Sequence, residues 1–293
     1  MRPDLTGLAL AVLGGDAREM HLATELAMFG ASVRVVGLPL PATPRVVICD
    51  DIPSAVEGTQ GIVLPVPGVN EKGQVYTTHG TLPVYLSEES LGRVPPRTPV
   101  FVGVARPVLR ELVRRLDLVL VELMDLDHVA ILNSIPTAEG AVMMAMERLP
   151  ITLHGSEAFV VGFGRTGVTL GRVLHALGAR TTVVARSPAQ RARALEMGLR
   201  AVGFAEFPEH IHRADVIFNT VPALVLSAEV LRRARQGLLI IDLASGPGGT
   251  DFAAAERLGI TALLAPGLPG KVAPKTAGRL LAVTIAEYLT GAR

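Results

Sequence analysis

Between residues 158 and 185 an apolar run (AFVV) enters Gly162-Phe163-Gly164-Arg165-Thr166-Gly167. A helical pattern over about 168–177 follows, closed by Gly178, and then a second β-rich run at 180–185 (RTTVVA). Strand, short turn, helix and strand in this order make a right-handed βαβ unit of a parallel sheet. In the G-x-G-x-x-G pattern the first glycine permits the tight turn and the second lets backbone approach a pyrophosphate. The third lets helix and strand pack closely, and the helix N-terminus offers free N–H groups to phosphate. Placed between a strand and a helix, the motif predicts a dinucleotide site.

The same grammar opens the chain. Residues 8–13 (LALAVL) lead into Gly14-Gly15-Asp16, a helical pattern runs through Phe29 with Gly30 as its C-cap, and 32–36 (SVRVV) form the return strand. Further strands are expected at 61–64, 100–102 and 118–121 in the first half, and at 216–218, 238–241 and 261–264 in the second. Helical patterns cover 107–115, 136–148 with Pro136 near its start and Pro150 beyond its end, and about 275–289. The expected fold is α/β: two doubly wound parallel-sheet, Rossmann-like domains facing a central cleft. Residues 1–135 form an N-terminal flavodoxin- or Rossmann-like, substrate-side domain, and 136–274 a cofactor-binding domain with the connecting helix. The final helix, about 275–293, is expected to pack back on the first domain.

With 49% hydrophobic and 19% charged residues, no tryptophan and 4% aromatics, 293 residues supply two aliphatic cores. A net charge of +1 leaves no basic surplus for nucleic acid or an anionic membrane. Mean hydropathy is +0.42, yet no uninterrupted apolar run reaches the roughly 18 residues of a bilayer span. The first apolar run is too short, and too quickly closed by Gly14-Gly15-Asp16, for a secretory signal. One cysteine, Cys49, excludes an intrachain disulfide. The expectation is a cytoplasmic protein. No His, Cys and carboxylate grouping has metal-ligand spacing, and no G-x-S-x-G elbow occurs.

The residue ending the second strand of a dinucleotide unit chooses the cofactor. An acid there bonds the NAD ribose, whereas arginine accommodates the 2′-phosphate of NADP. This chain reads Val184-Ala185-Arg186-Ser187, so Arg186 and Ser187 predict NADP(H), with Arg191 and Arg193 on the solvated face of the next helix. Asn219-Thr220-Val221-Pro222 and Asp242-Leu243-Ala244-Ser245 fall at C-terminal strand ends, where polar groups line a cofactor or cap the next helix. The cofactor set is thus Gly162, Gly164, Arg165, Thr166, Gly167, Arg186, Ser187, Asn219, Thr220, Val221, Pro222, Asp242, Ala244 and Ser245.

Several longer segments resemble the family of the dipicolinate synthase A chain: NSIPTAEG (133–140), HGSEAFVVGFGRTG (154–167), LASGPGGTDF (243–252) and APGLPGKVAPKTAG (265–278). GGDAR (14–18) and LPVPG (64–68) fit as well, so the likeness covers nearly the whole chain. One departure is Gly246 before Pro247-Gly248-Gly249, where a basic residue is common; another cation must then serve any anion held there. The resemblance implies oxidation of a dihydrodipicolinate-level intermediate to pyridine-2,6-dicarboxylate, the calcium chelator of spores, with NADP⁺ as hydride acceptor. It also implies a partner, the dipicolinate synthase B chain, similar to flavin-binding decarboxylase-type flavoproteins; a homo-oligomer is the expected state.

A small dicarboxylate substrate asks for cations and hydrogen-bond donors. Lys275 and Thr276, at the start of the last helix, and Arg18, after the Gly14-Gly15-Asp16 turn, are the candidates from opposite walls, an arrangement that would let a hinge close on substrate. Asp16 either orients Arg18, acts as base, or caps its helix. Asn133, Ser134, Thr137 and Glu139 lie at the crossover, as substrate contacts or as hinge and caps. His154 precedes its strand and reads as structural; His128 is the one histidine kept as a proton acceptor. A 2-hydroxy or amino acid dehydrogenase would need a His–carboxylate pair, but His210 and His212 lie ahead of a strand. The third reading is an assembly protein that binds NADPH without turnover.

Overall fold

The computed structural model describes residues 3–78 and 83–291. The chain forms two compact units, Met1–Leu132 with Ala273–Arg293, and Asn133–Val272. The divisions fall at Leu132/Asn133 and Val272/Ala273, against expected ones at 135/136 and 274/275.

The first unit contains strands β1 (Ala9–Leu13), β2 (Ser32–Val36), β3 (Val46–Ile48), β4 (Gly61–Val63), β5 (Pro99–Val102) and β6 (Val119–Glu122). Its helices are α1 (Ala17–Met28), α2 (Ile52–Val56), α3 (Glu88–Leu91) and α4 (Pro107–Arg115). All strand pairs are parallel, in the order β3-β2-β1-β4-β5-β6. This is the Rossmann order, which decides against the flavodoxin alternative. Alternation along β1 serves both faces of the sheet. Leu10 and Val12 pack with Leu22 and Leu26 of α1, while Ala11 and Leu13 pack with Ile62, Val100 and Leu109.

Helix α5 (Asp127–Arg148) runs through the division between the units. It starts well before the expected Pro136, which lies inside it. Proline removes the amide that would bond the Leu132 carbonyl, yet the turn holds, with Thr137 Oγ1 donating to the Asn133 carbonyl at 2.9 Å. By length and composition alone α5 is apolar enough to cross a membrane. Its Ala138, Ala141 and Ala145 are buried in the core of the second unit.

The second unit contains β7 (Glu157–Val161), β8 (Arg180–Val184), β9 (Arg200–Val202), β10 (Val216–Asn219), β11 (Leu239–Asp242) and β12 (Thr261–Leu264). Its helices are α6 (Arg165–Ala176), α7 (Pro188–Glu196), α8 (Phe207–His210), α9 (Ala228–Leu231), α10 (Phe252–Arg257) and α11 (Leu268–Val272). The order β12-β11-β10-β7-β8-β9 is again all parallel and of Rossmann type. Helix α6 begins at Arg165, inside the glycine motif, about three residues earlier than the pattern suggests.

The last helix, α12 (Pro274–Thr290), belongs to the first unit. Leu281 and Ile285 join the core of α1. Gly278 rests on α1 so closely that a side chain there would strike the Arg18 carbonyl. Val283 and Glu287 share a groove with Glu25 and Met28, so α12 and α1 run side by side in the same direction.

Candidate functional site

The turn after β7 is built around three glycines with different tasks. Gly162 has φ +91°, and a Cβ there would meet the Thr220 hydroxyl. At Gly167 a Cβ would collide with the Gly162 carbonyl, so helix and turn pack to contact. Gly164 is different: nothing lies within 4 Å of where its Cβ would be. It is also the N-cap of α6 and brings no capping side chain, which leaves first-turn amides to a ligand. A cavity of about 570 Å³ opens here, walled by Gly164, Arg165, Thr166, Arg186, Thr220 and Pro222. Its size suits a nucleotide-scale ligand.

Beyond β8, Arg186 is exposed and lines this cavity, and among the described residues no carboxylate or other side chain is bonded to its guanidinium. Ser187 is the N-cap of α7, but its hydroxyl makes no capping bond. The structure corrects the reading of Arg191. Its Nη1 donates to the carbonyls of Ala185 and Arg186 at 3.0 and 2.9 Å, so it clasps the turn instead of lying on a solvated face. Arg193 does pair at the surface, with Glu196 at 2.9 Å.

At the ends of β10 and β11 the candidates separate. Thr220, Val221 and Pro222 line the cavity, Thr220 Oγ1 donating to the Val161 carbonyl at 3.0 Å. Asn219 and Asp242 are 0% exposed and turned inward, which corrects their assignment as lining residues. Asn219 bonds Val221 at both its amide atoms, and Asp242 accepts from Asn219, Ala244 N, Gly249 N and Thr250 Oγ1. They hold the loops that make the wall. Ala244 is buried and Ser245 exposed, and neither borders the cavity.

In the first unit the corresponding turn is closed. A Cβ on Gly14 would meet Val75 and the Tyr76 carbonyl, and Thr78 N donates to the Gly15 carbonyl at 3.0 Å, so the 64–78 loop lies over it. Asp16 caps α1 and also binds Arg18, Nη2 to Oδ2 at 2.7 Å and Nε to Oδ1 at 3.0 Å. Arg18, its side chain 3% exposed, is thus a bound residue and not an open cation. Burial raises the Asp16 carboxyl, but the Arg18 bonds and charge outweigh it and hold the group below its ordinary range. Glu19, 1% exposed, accepts from Asp16 N at 2.8 Å and Val66 N at 3.3 Å. Burial pushes its carboxyl up to about 7, Arg18 opposing and Asp16 reinforcing. With the loop over this turn and the Asp16 and Glu19 side chains already occupying the α1 N-terminus, the glycine turn of the second unit is, among the described residues, the one left open to a nucleotide.

Lys275 and Thr276 are exposed in the first turn of α12, which comes to the same end of the first unit as the α1 N-terminus. Arg18 and Lys275 therefore belong to one unit, and the expectation that they come from opposite walls is corrected. Ser134 is buried with its hydroxyl 2.6 Å from that of Thr169 on α6. Asn133, Ser134, Thr137 and Glu139 all lie within α5, so none is a cap. His154 packs on Gly178 at the start of β7, and His210 and His212 precede β10, away from the ligand ends of the strands. His128 is exposed in the first turn of α5. Among the described residues no group of three His, Cys, Asp or Glu gathers as for a metal.

Residues 9–124 match the N-terminal domain of the dipicolinate synthase A chain. The whole chain is 42% identical to the dipicolinate synthase A chain of Bacillus subtilis over 289 residues, 97% of each. The chain belongs to this family. Crystal structures of the dipicolinate synthase A chain from Bacillus halodurans and from Bacillus subtilis superpose with TM-scores of 0.92 and 0.91. They are 40% and 41% identical and cover 98% and 99% of this chain, and 99% and 98% of theirs. Residues 135–252 match the NAD-binding domain of D-isomer specific 2-hydroxyacid dehydrogenases. This member of the family is therefore a dehydrogenase-type oxidoreductase with a nicotinamide cofactor.

Gln190 and Phe204 also wall the cavity, Gln190 Nε2 donating to the Phe163 carbonyl at 3.1 Å. Sequence reasoning missed both. Gln190 lies in the first turn of α7 and carries no local signal of its use. Phe204 follows β9, a strand the sequence did not announce.

Proposed function

We propose that the chain oxidises a dihydrodipicolinate-level intermediate to pyridine-2,6-dicarboxylate with NADP⁺. The ring gives up a hydride and a proton and becomes aromatic, which drives the reaction. The observation that carries the reading is an arginine-ended nucleotide cavity in a chain alike end to end to the dipicolinate synthase A chain.

The cofactor, when bound, accepts the hydride. The amides opening α6 hold its pyrophosphate, and Arg186 with Ser187 holds the 2′-phosphate. Thr220, Val221 and Pro222 exclude water along the wall. Lys275 and Thr276 meet a substrate carboxylate, with Asn133 and Thr137 as further candidates on α5, while Ser134, buried against Thr169, is left to hold α5 on α6. Asp16 serves to fix Arg18: a carboxyl held below its ordinary range is a weak base. The same reading places the protein in the cytoplasm of a spore-forming cell, as a homo-oligomer working with a flavoprotein-like B chain of the same synthase.

A 2-hydroxy acid dehydrogenase is the second reading, favoured by the match over 135–252. That match covers the cofactor half alone, and His210 and His212 stand at the wrong strand ends for its chemistry. The test is reduction of NADP⁺, followed by the near-ultraviolet absorbance of reduced nicotinamide, with freshly generated dihydrodipicolinate or with 2-hydroxy acids. Turnover with the first alone supports the proposal. Turnover with the second alone overturns it, and tight cofactor binding with no turnover favours a non-catalytic assembly protein.

A further inference from the structure

A second, smaller cavity of about 230 Å³ lies in the first unit, between the 64–78 loop after β4 and the turn after β5. The two segments are tied together, Val104 N donating to the Val66 carbonyl at 3.0 Å. Both leave the C-terminal ends of strands, where open α/β sheets take ligands. The nucleotide route of this unit is closed by the loop over Gly14 and by Asp16 and Glu19. At this volume, below the roughly 300–1,000 Å³ of pockets for larger ligands, the cavity suits one small ring.

Its walls are Pro67, Asn70, Gln74, Tyr76, Thr77 and Arg106 with two valines, and no carboxylate is among them. The arginines nearby differ in a way that decides their use. Arg18 is bound by Asp16, and Arg110, one turn into α4, pairs with Glu122. Glu122 also accepts from Ala105 N at 2.8 Å, which fixes the backbone beside Arg106. Arg106 itself is exposed as the N-cap of α4 and, among the described residues, makes no capping bond or ion pair. Asn70 is engaged with Lys72 N, Gln74 N and the Gln74 side-chain oxygen at 2.9–3.0 Å, which leaves Gln74 Nε2 to donate elsewhere. The Tyr76 phenol is kept protonated by burial and by the charges of Asp16 and Glu19, so it too is a donor. The wall thus carries a guanidinium, an amide N–H₂ and a phenol and no carboxylate, an anion-binding set on a fixed backbone. The acids that act on Tyr76 are engaged elsewhere, Asp16 with Arg18 and Glu19 with the Asp16 and Val66 N–H groups.

We propose that this pocket binds a carboxylate of a small aromatic dicarboxylate, with Arg106 as its charge partner and Gln74 and Tyr76 as donors. The proposal rests on the proposed reaction for the identity of the dicarboxylate, but not for the site. It is tested by titration calorimetry of the full chain with pyridine-2,6-dicarboxylate and with benzene-1,3-dicarboxylate, which keeps the carboxylate spacing without the ring nitrogen. Arg106→Gln should weaken binding at least about tenfold, roughly 1.4 kcal/mol. Tyr76→Phe should weaken it a few-fold. Arg110→Gln, which removes the same charge from a paired position, should leave it unchanged, as should all three for NADP⁺ affinity. If pyridine-2,6-dicarboxylate binds equally well to Arg106→Gln, the pocket is overturned while the reaction stands. If benzene-1,3-dicarboxylate alone binds through Arg106, the pocket stands and the dipicolinate reading falls. Binding of neither compound overturns the pocket.

Discussion

Asn219 Nδ2 and Asp242 Oδ1 meet at 3.0 Å at the adjacent C-terminal ends of β10 and β11, and neither side chain reaches solvent. With Gly249 N at 2.8 Å and Thr250 Oγ1 at 2.6 Å on its other oxygen, Asp242 is a buried carboxylate with a full set of donors. Asp242→Asn replaces one acceptor oxygen with a donor facing donors. It should cost about 2–4 kcal/mol of stability, since bonds to a charged group are lost and buried partners left unpaired. Thermal melting should show a drop of several degrees with little change in cofactor KM. Normal melting with a raised KM would instead make Asp242 a cofactor ligand.

That pair marks where sequence reading stops. Strand ends and their polar residues are legible from apolar runs and breakers, but whether Asn219 faces ligand or core depends on neighbours distant in sequence. The missing strands, β3 and β9, share a cause: each has three residues and sits at a sheet edge, too short for periodicity to register. Arg191 reads as a surface helix residue until α7 folds back and sets its guanidinium on the Ala185 and Arg186 carbonyls. Conversely, the glycine turn and Arg186 are readable, because their requirements are local backbone and strand-end chemistry.

Cofactor preference follows from that turn. If Arg186 and Ser187 hold the 2′-phosphate, NADP(H) should bind at least about tenfold tighter than NAD(H), roughly 1.4 kcal/mol. Arg186→Asp should erase or reverse the preference. Arg191→Ala should erode it by loosening the turn, while NAD(H) affinity stays near that of the unaltered protein. Fluorescence titration with both cofactors measures this, and equal affinities in the unaltered protein would refute it.

Glu19 gives stability a pH dependence. Its folded value of about 7 stands above the ordinary 4.5, so between these the folded state keeps a proton that the unfolded state has lost. Its contribution to stability is full below about 4.5 and is lost as pH rises to about 7, a change on the order of 3 kcal/mol. Asp16 has the opposite sign, stabilising above its ordinary 3.8 and losing that only in stronger acid, so it does not mask the effect. The groups facing Glu19 are Asp16 and Arg18 on α1 and Tyr76 on the loop. Melting temperatures of the unaltered protein should fall by several degrees between about pH 5 and pH 7.5, and Glu19→Gln should flatten that slope. The same slope in both proteins would remove Glu19 as its source.

The three motif glycines should fail in different ways when a methyl group is added. Gly167→Ala sets a Cβ against the Gly162 carbonyl, backbone against backbone, with nothing flexible to yield. It should cost about 1–3 kcal/mol or more by overpacking, and lose cofactor binding with the turn. Gly164→Ala meets no atom of the protein, and its φ of −90° and ψ of −158° suit alanine. Stability should therefore stay within about 0.5 kcal/mol of the original. The added methyl stands instead in the space through which a pyrophosphate approaches the α6 amides, so NADP(H) affinity should fall at least about tenfold. Melting curves taken with and without NADP⁺ separate the two: Gly164→Ala should melt like the parent alone yet gain less from cofactor. Full cofactor stabilisation of Gly164→Ala would mean that the phosphates do not pass over this turn.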